Sequence, residues 1–258
     1  FFYGRLKKWR SLCNALLRNI IREEDYNKKY DPILNVPSWL YKAWKGQFGE
    51  EDTKNIIAEI SKEPFLDLKI KKDFYFWKNK LGGQEIKNNT LRLKNTGEII
   101  KLKGYKEGAW WVQNLAAQIP GILLKVVKNE EVLDLCSAPG GKAAQLLNDG
   151  ALVTALDISA NKTKLIHTNI KRLNLEKNIK IITKDLLLWE NKKKYNKILL
   201  DVPCSATGTA RKNPDVLWNK SKKDIERLAK IQKKLLDKAI NLLNKHGILI
   251  YCNCSLQH

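Results

Sequence analysis

Methionine is missing from all 258 residues, including position 1, and histidine is nearly so, with only His167, His246 and His258. Neither these histidines nor the five cysteines (Cys13, Cys136, Cys204, Cys252, Cys254) show CxxC or HxxxH spacing, so no structural zinc site and no other metal is expected. An odd cysteine count without a signal peptide predicts free thiols in a reducing cytoplasm. No apolar run approaches the roughly 18 residues of a membrane-spanning helix, so no membrane partner is expected. Acid is the scarcer charge: 27 Asp and Glu stand against 48 Lys and Arg, a formal charge of +21. That balance favours a polyanionic partner, nucleic acid first, although biased base composition of the gene would also raise the Lys and Asn content. The missing initial Met and the stop soon after Cys252 predict a fragment at both ends.

The length suffices for a full core and lies near the size at which chains divide, which predicts one large domain and something smaller. Leu6, Trp9, Leu12, Cys13, Leu16, Leu17, Ile20 and Ile21 recur at three- and four-residue spacing, predicting an amphipathic helix over residues 1–30. Pro32 and Pro37 interrupt it. Short helices around Trp39–Trp44 and Thr53–Ser61, strands at Phe65–Ile70 and Thr90–Leu93, and a helix carrying Phe74, Phe76, Trp77 and Leu81 predict a small α+β module over 32–104. Its aromatics beside Lys71, Lys72 and Lys78 are either core or a base-stacking surface, and the core reading is preferred.

From Ala109 onward strands and helices alternate. Strands at Val132–Leu135, Leu152–Leu156, Ile179–Ile182, Ile198–Leu200 and Ile248–Tyr251 predict an α/β fold with a parallel sheet covered by helices. Ser221 and Asp224 form a capping box for a helix whose apolar face runs from Ile225 to Leu242 and which is expected to stop at Gly247.

The polar residues at the strand ends carry the chemistry. After the first strand comes CSAPGGK, Cys136 to Lys142, whose Gly140 and Gly141 let the backbone pass close to a ligand. Asp157 ends the second strand, where an acid accepts hydrogen bonds from a ribose diol, and Asp185 follows the third, placed for an adenine edge. Neither GxGxxG nor GxxxxGK[ST] is present, so an adenosine cofactor without a phosphate cradle, S-adenosyl-L-methionine, is favoured over a dinucleotide. Asp201 ends the fourth strand, Pro203 fixes the chain after it, and Cys204 follows at the rim. Cys254 reaches the same rim from the fifth strand. Cys136 and Cys252 read as small buried residues, and Lys142 and Arg211 as phosphate contacts.

Taken in order, LDLCSAPGGK, ALD, DVPCSATG, RKNPDVLW and YCNCSL resemble the Sun/Fmu-type bacterial 16S ribosomal RNA cytosine-5 methyltransferases, within the NOL1/NOP2/Sun family. The resemblance extends upstream through WWVQNLAAQ, Trp110 to Gln118. It implies a Rossmann-like S-adenosylmethionine-dependent methyltransferase domain over 105–258 lacking its last strands. A small α+β RNA-binding module over 32–104 precedes it, and 1–31 is the remnant of a helical NusB-like RNA-binding domain. It further implies a monomer acting on 16S ribosomal RNA, with cofactor contacts from Cys136, Ser137, Ala138, Pro139, Gly140, Gly141, Lys142, Asp157, Asp185 and Asp201. Cys254 is the implied nucleophile, with Asp201 and Cys204 assisting. In this sequence Asn253 stands where the family usually has threonine. Two other readings are kept: an RNA-binding assembly module that has lost catalysis, and a DNA cytosine methyltransferase using Cys204.

Overall fold

The computed structural model describes residues 9–22, 31–94 and 97–257. Helix α1 (Arg10–Arg22) covers part of the predicted N-terminal helix, the rest of which lies outside the described residues, and its apolar stripe (Leu12, Leu16, Leu17, Ile20) is exposed. Helices α2 (Ser38–Phe48) and α3 (Glu50–Ile60) follow, then β1 (Leu66–Ile70), α4 (Phe74–Leu81), β2 (Gln84–Ile86) and β3 (Thr90–Leu93). Of the α4 aromatics, Phe74 and Trp77 pack onto the core of this sheet while Tyr75 and Phe76 are exposed, so the preferred core reading holds for half of them.

The small sheet is antiparallel, in the order β2-β3-β1-β4, and its β4 is Trp110–Val112, so it takes a strand from beyond residue 104. That strand leads into α5 (Leu115–Leu124), an element the hydrophobic pattern did not reveal because Pro120 sits inside it. Asn114 caps its start, accepting from the Ala116 N–H at 2.8 Å.

The larger sheet is the predicted parallel one. Its strands are β5 (Glu131–Leu135), β6 (Leu152–Asp157), β7 (Ile179–Thr183), β8 (Tyr195–Asp201) and β9 (Leu243–Cys252), in the order β7-β6-β5-β8-β9. Helices α6 (Gly141–Asn148), α7 (Ala160–Arg172) and α8 (Lys222–Asn241) connect them. Near-continuous apolar runs such as Val132–Leu135 and Ile198–Leu200 are buried because helices cover both faces. The order reverses between β5 and β8, which opens a crevice at their carboxyl ends, where parallel sheets of this kind bind ligands.

Gly247 does not stop α8. The helix ends at Asn241, and Gly247 lies inside β9, where Tyr195 pairs with Leu243 but Lys197 pairs with Ile248. The extra residues bulge out of the ladder, and a Cβ on Gly247 would meet Leu243 Cδ1 at 2.9 Å. The capping box is present, with the Ser221 hydroxyl and the Asp224 carboxylate serving each other's backbone N–H.

The two sheets are joined by polar contacts to main-chain carbonyls. Arg172 Nη1 donates to the carbonyls of Tyr105 (2.9 Å) and Trp110 (3.0 Å), and Lys71 Nζ to that of Leu173 (2.6 Å). These charge-assisted bonds fix the small sheet beside α7.

Candidate active site

β5 is central, and after the exposed Glu131 it is buried throughout, including Asp134, whose carboxyl lies beneath the loop that follows. Ser137 Oγ donates to Asp134 Oδ2 at 2.5 Å, while Oδ1 has no partner. Burial pushes the Asp134 carboxyl up to about 7, against the opposing pull of Ser137 and Lys142. A folded-state value above the unfolded one stabilises the fold fully below about pH 4, and that contribution is lost as pH rises through about 7. Asp134→Asn, which mimics the protonated carboxyl, is therefore expected to gain stability over the wild type across that range, by on the order of a few degrees in Tm. Parallel melting curves at pH 4 and pH 8 check it, since an unchanged difference between the two proteins would contradict it.

The loop from Cys136 to Gly140 turns tightly, with the Gly140 N–H bonded to the Ser137 carbonyl at 2.9 Å and Gly140 at φ +96°. Asp157, at the end of β6, holds it from the side: Oδ2 accepts from the Ala138 N–H (3.1 Å) and Oδ1 from the Ser159 N–H (3.0 Å). Each oxygen keeps a further acceptor site. Asp185 follows β7 and caps the turn at Leu186–Leu188, accepting from the Leu187 N–H at 2.9 Å. At α6 the backbone is bare, because a Cβ built on Gly141 meets no atom within 4 Å.

Across the crevice, Lys142 Nζ reaches Asp201 Oδ2 at 2.6 Å, so α6 and the end of β8 are tied by an ion pair. Burial alone would lower the Lys142 pKa, but Asp201 outweighs it and holds the ammonium charged. The pairing occupies a cation that the sequence placed against phosphate. Asp201 Oδ1 accepts from the Cys252 thiol at 3.5 Å, and burial together with that carboxylate pushes Cys252 up to about 12. Burial likewise pushes Cys136 up to about 12. Both thiols are held neutral, and each is only half-buried.

The other two rim cysteines differ. Cys204 Sγ and Cys254 Sγ lie 3.3 Å apart, and the Cys254 N–H also points at Cys204 Sγ, at 3.4 Å. The sulfurs are close enough for one thiol to donate to the other. Contact with the Cys254 thiol, aided by the backbone N–H groups of Cys254 and Ala206, lowers Cys204 to about 6, and the same contact raises Cys254. Cys254 lines a cavity of about 610 Å³ whose walls also include Cys252, Lys142, Asp201 and Arg211, and Cys204 stands behind it. Arg211 is held by Glu63, its Nε and Nη2 donating to the Glu63 carbonyl at 3.2 and 2.8 Å.

Several positioning residues were not visible as such in the sequence. Gln257 Oε1 accepts from the hydroxyls of Ser205 (2.8 Å), Thr207 (2.9 Å) and Ser255 (2.7 Å), locking the Cys204 loop to the Cys254 loop. The Gly208 N–H donates to the Cys254 carbonyl at 2.8 Å, and Gln232 of α8 bridges the Pro203 carbonyl and the Tyr251 hydroxyl. The alternating hydroxyls of SATGT were the only local signal, and nothing in the pattern paired them with a glutamine fifty residues away.

A family model described as 16S rRNA methyltransferase RsmB/F matches residues 121–258. Ribosomal RNA small subunit methyltransferase B of Pseudomonas syringae pv. tomato is 34% identical, over 97% of this chain and 60% of its own length. The chain thus spans about three fifths of the curated relatives it matches. The crystal structure of PH0851 superposes with a TM-score of 0.81 at 26% identity, covering 93% of this chain and 58% of that one. A methyltransferase homolog protein from Pyrococcus horikoshii gives 0.74 at 25% identity, covering 88% and 77%. The matched stretch starts inside α5 and takes in every strand of the parallel sheet together with both cysteine loops, and the chain belongs to the 16S rRNA methyltransferase RsmB/F family.

Proposed function

We propose that the chain methylates carbon 5 of a cytosine in 16S ribosomal RNA through a covalent adduct on Cys254. The observation that carries this reading is the pair of sulfurs 3.3 Å apart, of which Cys254 lines the cavity that Lys142 and Asp201 also wall. Carbon 5 of cytosine is too weak a nucleophile to accept a methyl group until another nucleophile adds at carbon 6, and a thiolate suits that addition.

S-adenosyl-L-methionine is the cofactor of this family, and the loop residues fit it. The open space over Gly141 leaves the first turn of α6 accessible to a carboxylate, and Asp157 offers spare acceptor sites to a diol. Cys136 to Lys142, Asp157, Asp185 and Asp201 are the residues that would hold it. When bound it supplies an electrophilic methyl group. Asp157→Ala is expected to weaken its binding by roughly 1.5 to 3 kcal/mol, combining a lost ribose contact with a loosened loop. Gly141→Ala should fold normally yet bind it more weakly, because the new methyl occupies the open space. Titration calorimetry checks both, and full affinity in either variant would contradict the pose.

The two cysteines then divide the work. As Cys254 Sγ bonds to carbon 6, its proton passes to the Cys204 thiolate beside it. Asp201, oriented by Lys142, accepts from the ring's amino edge and steadies the adduct. After methyl transfer Cys204 has released that proton to solvent. It takes the proton from carbon 5 as the Cys254–carbon 6 bond breaks. Cys254 leaves as a thiolate, and the pair again holds one proton.

Asn253 favours retained catalysis. Its Oδ1 accepts from the Ser255 N–H at 2.8 Å, a bond that a threonine hydroxyl also makes, so the turn that presents Cys254 is kept. In this reading the small module over 32–104 guides RNA to the cavity, 105–258 performs the transfer, and 1–31 ends a further helical RNA-binding unit. All of the reacting groups come from one chain, so a monomer suffices. Trapping on 5-fluorocytosine tests the reading: a covalent complex is expected with RNA and not with DNA, and trapping on DNA alone would favour a DNA methyltransferase.

A further inference from the structure

One wall of the cavity is cationic, and the transfer chemistry leaves it without a task. Phe65 stands just before β1, Arg92 lies on β3, and Arg211 and Lys212 follow the Cys204 loop; all four line the cavity that holds Cys254. The guanidinium carbons of Arg92 and Arg211 lie 4.8 and 4.7 Å from the centre of the Phe65 ring, and Lys94 Nζ lies 5.6 Å from it.

Both arginines are fixed from behind. Arg92 spends Nε and Nη2 on the two oxygens of Asp67, at 2.7 and 2.9 Å, and Asp67 is fully buried. Arg211 spends the same two donors on the Glu63 carbonyl, with its Nη1 3.7 Å from Glu59. Among the described residues Arg92 Nη1 makes no hydrogen bond and Lys212 makes no ion pair. Four cations (Arg92, Lys94, Arg211, Lys212) therefore face two carboxylates (Asp67, Glu59), and the excess positive charge is at the cavity wall. Groups locked in this way have already lost the side-chain entropy that binding would otherwise cost. The ring serves as the floor of the guanidinium groups, which argues against its use as a platform for a base.

We propose that Arg92, Arg211 and Lys212, on the floor formed by Phe65, bind the phosphodiester backbone beside the nucleotide that enters the cavity. The proposal rests on the reading of RNA as substrate and adds to it a named subsite. That subsite spans both sheets, so RNA engages the small sheet and the catalytic loops through one phosphate position. Its function is registration: it sets which nucleotide of a bound strand reaches Cys254.

The test uses the full-length protein with a 16S ribosomal RNA fragment, comparing wild type, Lys212→Gln and the Arg211→Gln/Lys212→Gln double variant. The double variant is expected to raise KM for RNA by about 10- to 100-fold while kcat changes less than about threefold, and to reduce the slope of log Kd against log salt by about 1 to 2. Lys212→Arg should restore the wild-type slope, and affinity for S-adenosylmethionine should stay the same in all of them. Unchanged KM and salt slope would overturn the subsite while wild-type trapping on RNA leaves the methyltransferase reading intact. A lowered Tm with an unchanged slope would show a brace between the sheets, also overturning it. Because Lys212 makes no side-chain hydrogen bond or ion pair among the described residues, the Lys212→Gln result stands even if the double variant folds poorly. If wild-type protein neither binds nor traps RNA, both readings fall together.

Discussion

Cys254→Ala is expected to abolish methylation, by on the order of 10⁴-fold or more, and to form no covalent RNA complex, because Cys204 is not among the residues that line the cavity and the other cysteine that is, Cys252, is not free to add at carbon 6. Cys252 is held neutral at about 12 by burial and Asp201, and it donates to that carboxylate. Cys204→Ala is expected to behave differently. Without the neighbouring base the adduct forms more slowly, but once formed it lacks the group that takes the carbon 5 proton. A protein–RNA species resistant to denaturant should therefore accumulate in Cys204→Ala and be absent from Cys254→Ala. The same geometry fixes a pH dependence. Cys204 is lowered to about 6, so its thiolate is present above that pH, and kcat/KM of the wild type should rise as pH increases through about 6. Among the groups facing the pair, Asp201 opposes ionisation, while Lys142 and the backbone N–H groups of Cys254 and Ala206 favour it. Reversed trapping phenotypes would make Cys204 the nucleophile.

The parallel sheet was legible in the sequence because each of its strands is a short apolar run bounded by polar residues, a pattern that needs no partner to be read. The strand ends were legible for the same reason: Asp157 and Asp201 close such runs, and Cys254 comes two residues beyond the end of another. What the sequence hid depends on groups that meet only after folding. Trp110–Val112 pairs with a strand some forty residues earlier, and Pro120 masks the helix behind it. Gly247 read as a helix stop because glycine commonly ends helices, whereas here it relieves the crowding of a bulge against Leu243. Lys142 read as a candidate phosphate contact. Its ammonium instead meets a carboxylate that only the crossover between β5 and β8 brings near. The cationic wall of Phe65, Arg92 and Arg211 joins three segments, none of which carries the pattern alone.

Gly208→Ala is expected to lower kcat by on the order of 100-fold without weakening the binding of S-adenosylmethionine. A Cβ at this position would lie 2.9 Å from the carbonyl oxygen of Cys254 and 3.5 Å from its carbonyl carbon. The oxygen cannot yield locally, since it accepts the Gly208 N–H at 2.8 Å and belongs to the loop that Gln257 locks to Ser205 and Thr207. The strain is thus relieved by moving Cys254 away from Cys204. Their 3.3 Å contact is lost, and with it the proton transfer that readies the nucleophile. A displacement of about 1 Å at a reacting atom commonly costs on the order of 10²-fold in rate. The cofactor loop, on the far side of the Lys142–Asp201 pair, should keep its affinity, which calorimetry can verify in the same preparation. The pH profile should also change, because a Cys204 separated from Cys254 loses the hydrogen bonds that lower its pKa and titrates nearer the ordinary thiol value of about 8.5. A Gly208→Ala protein with wild-type kcat and an acid limb still near 6 would show that the close approach of the two loops is not what prepares Cys254.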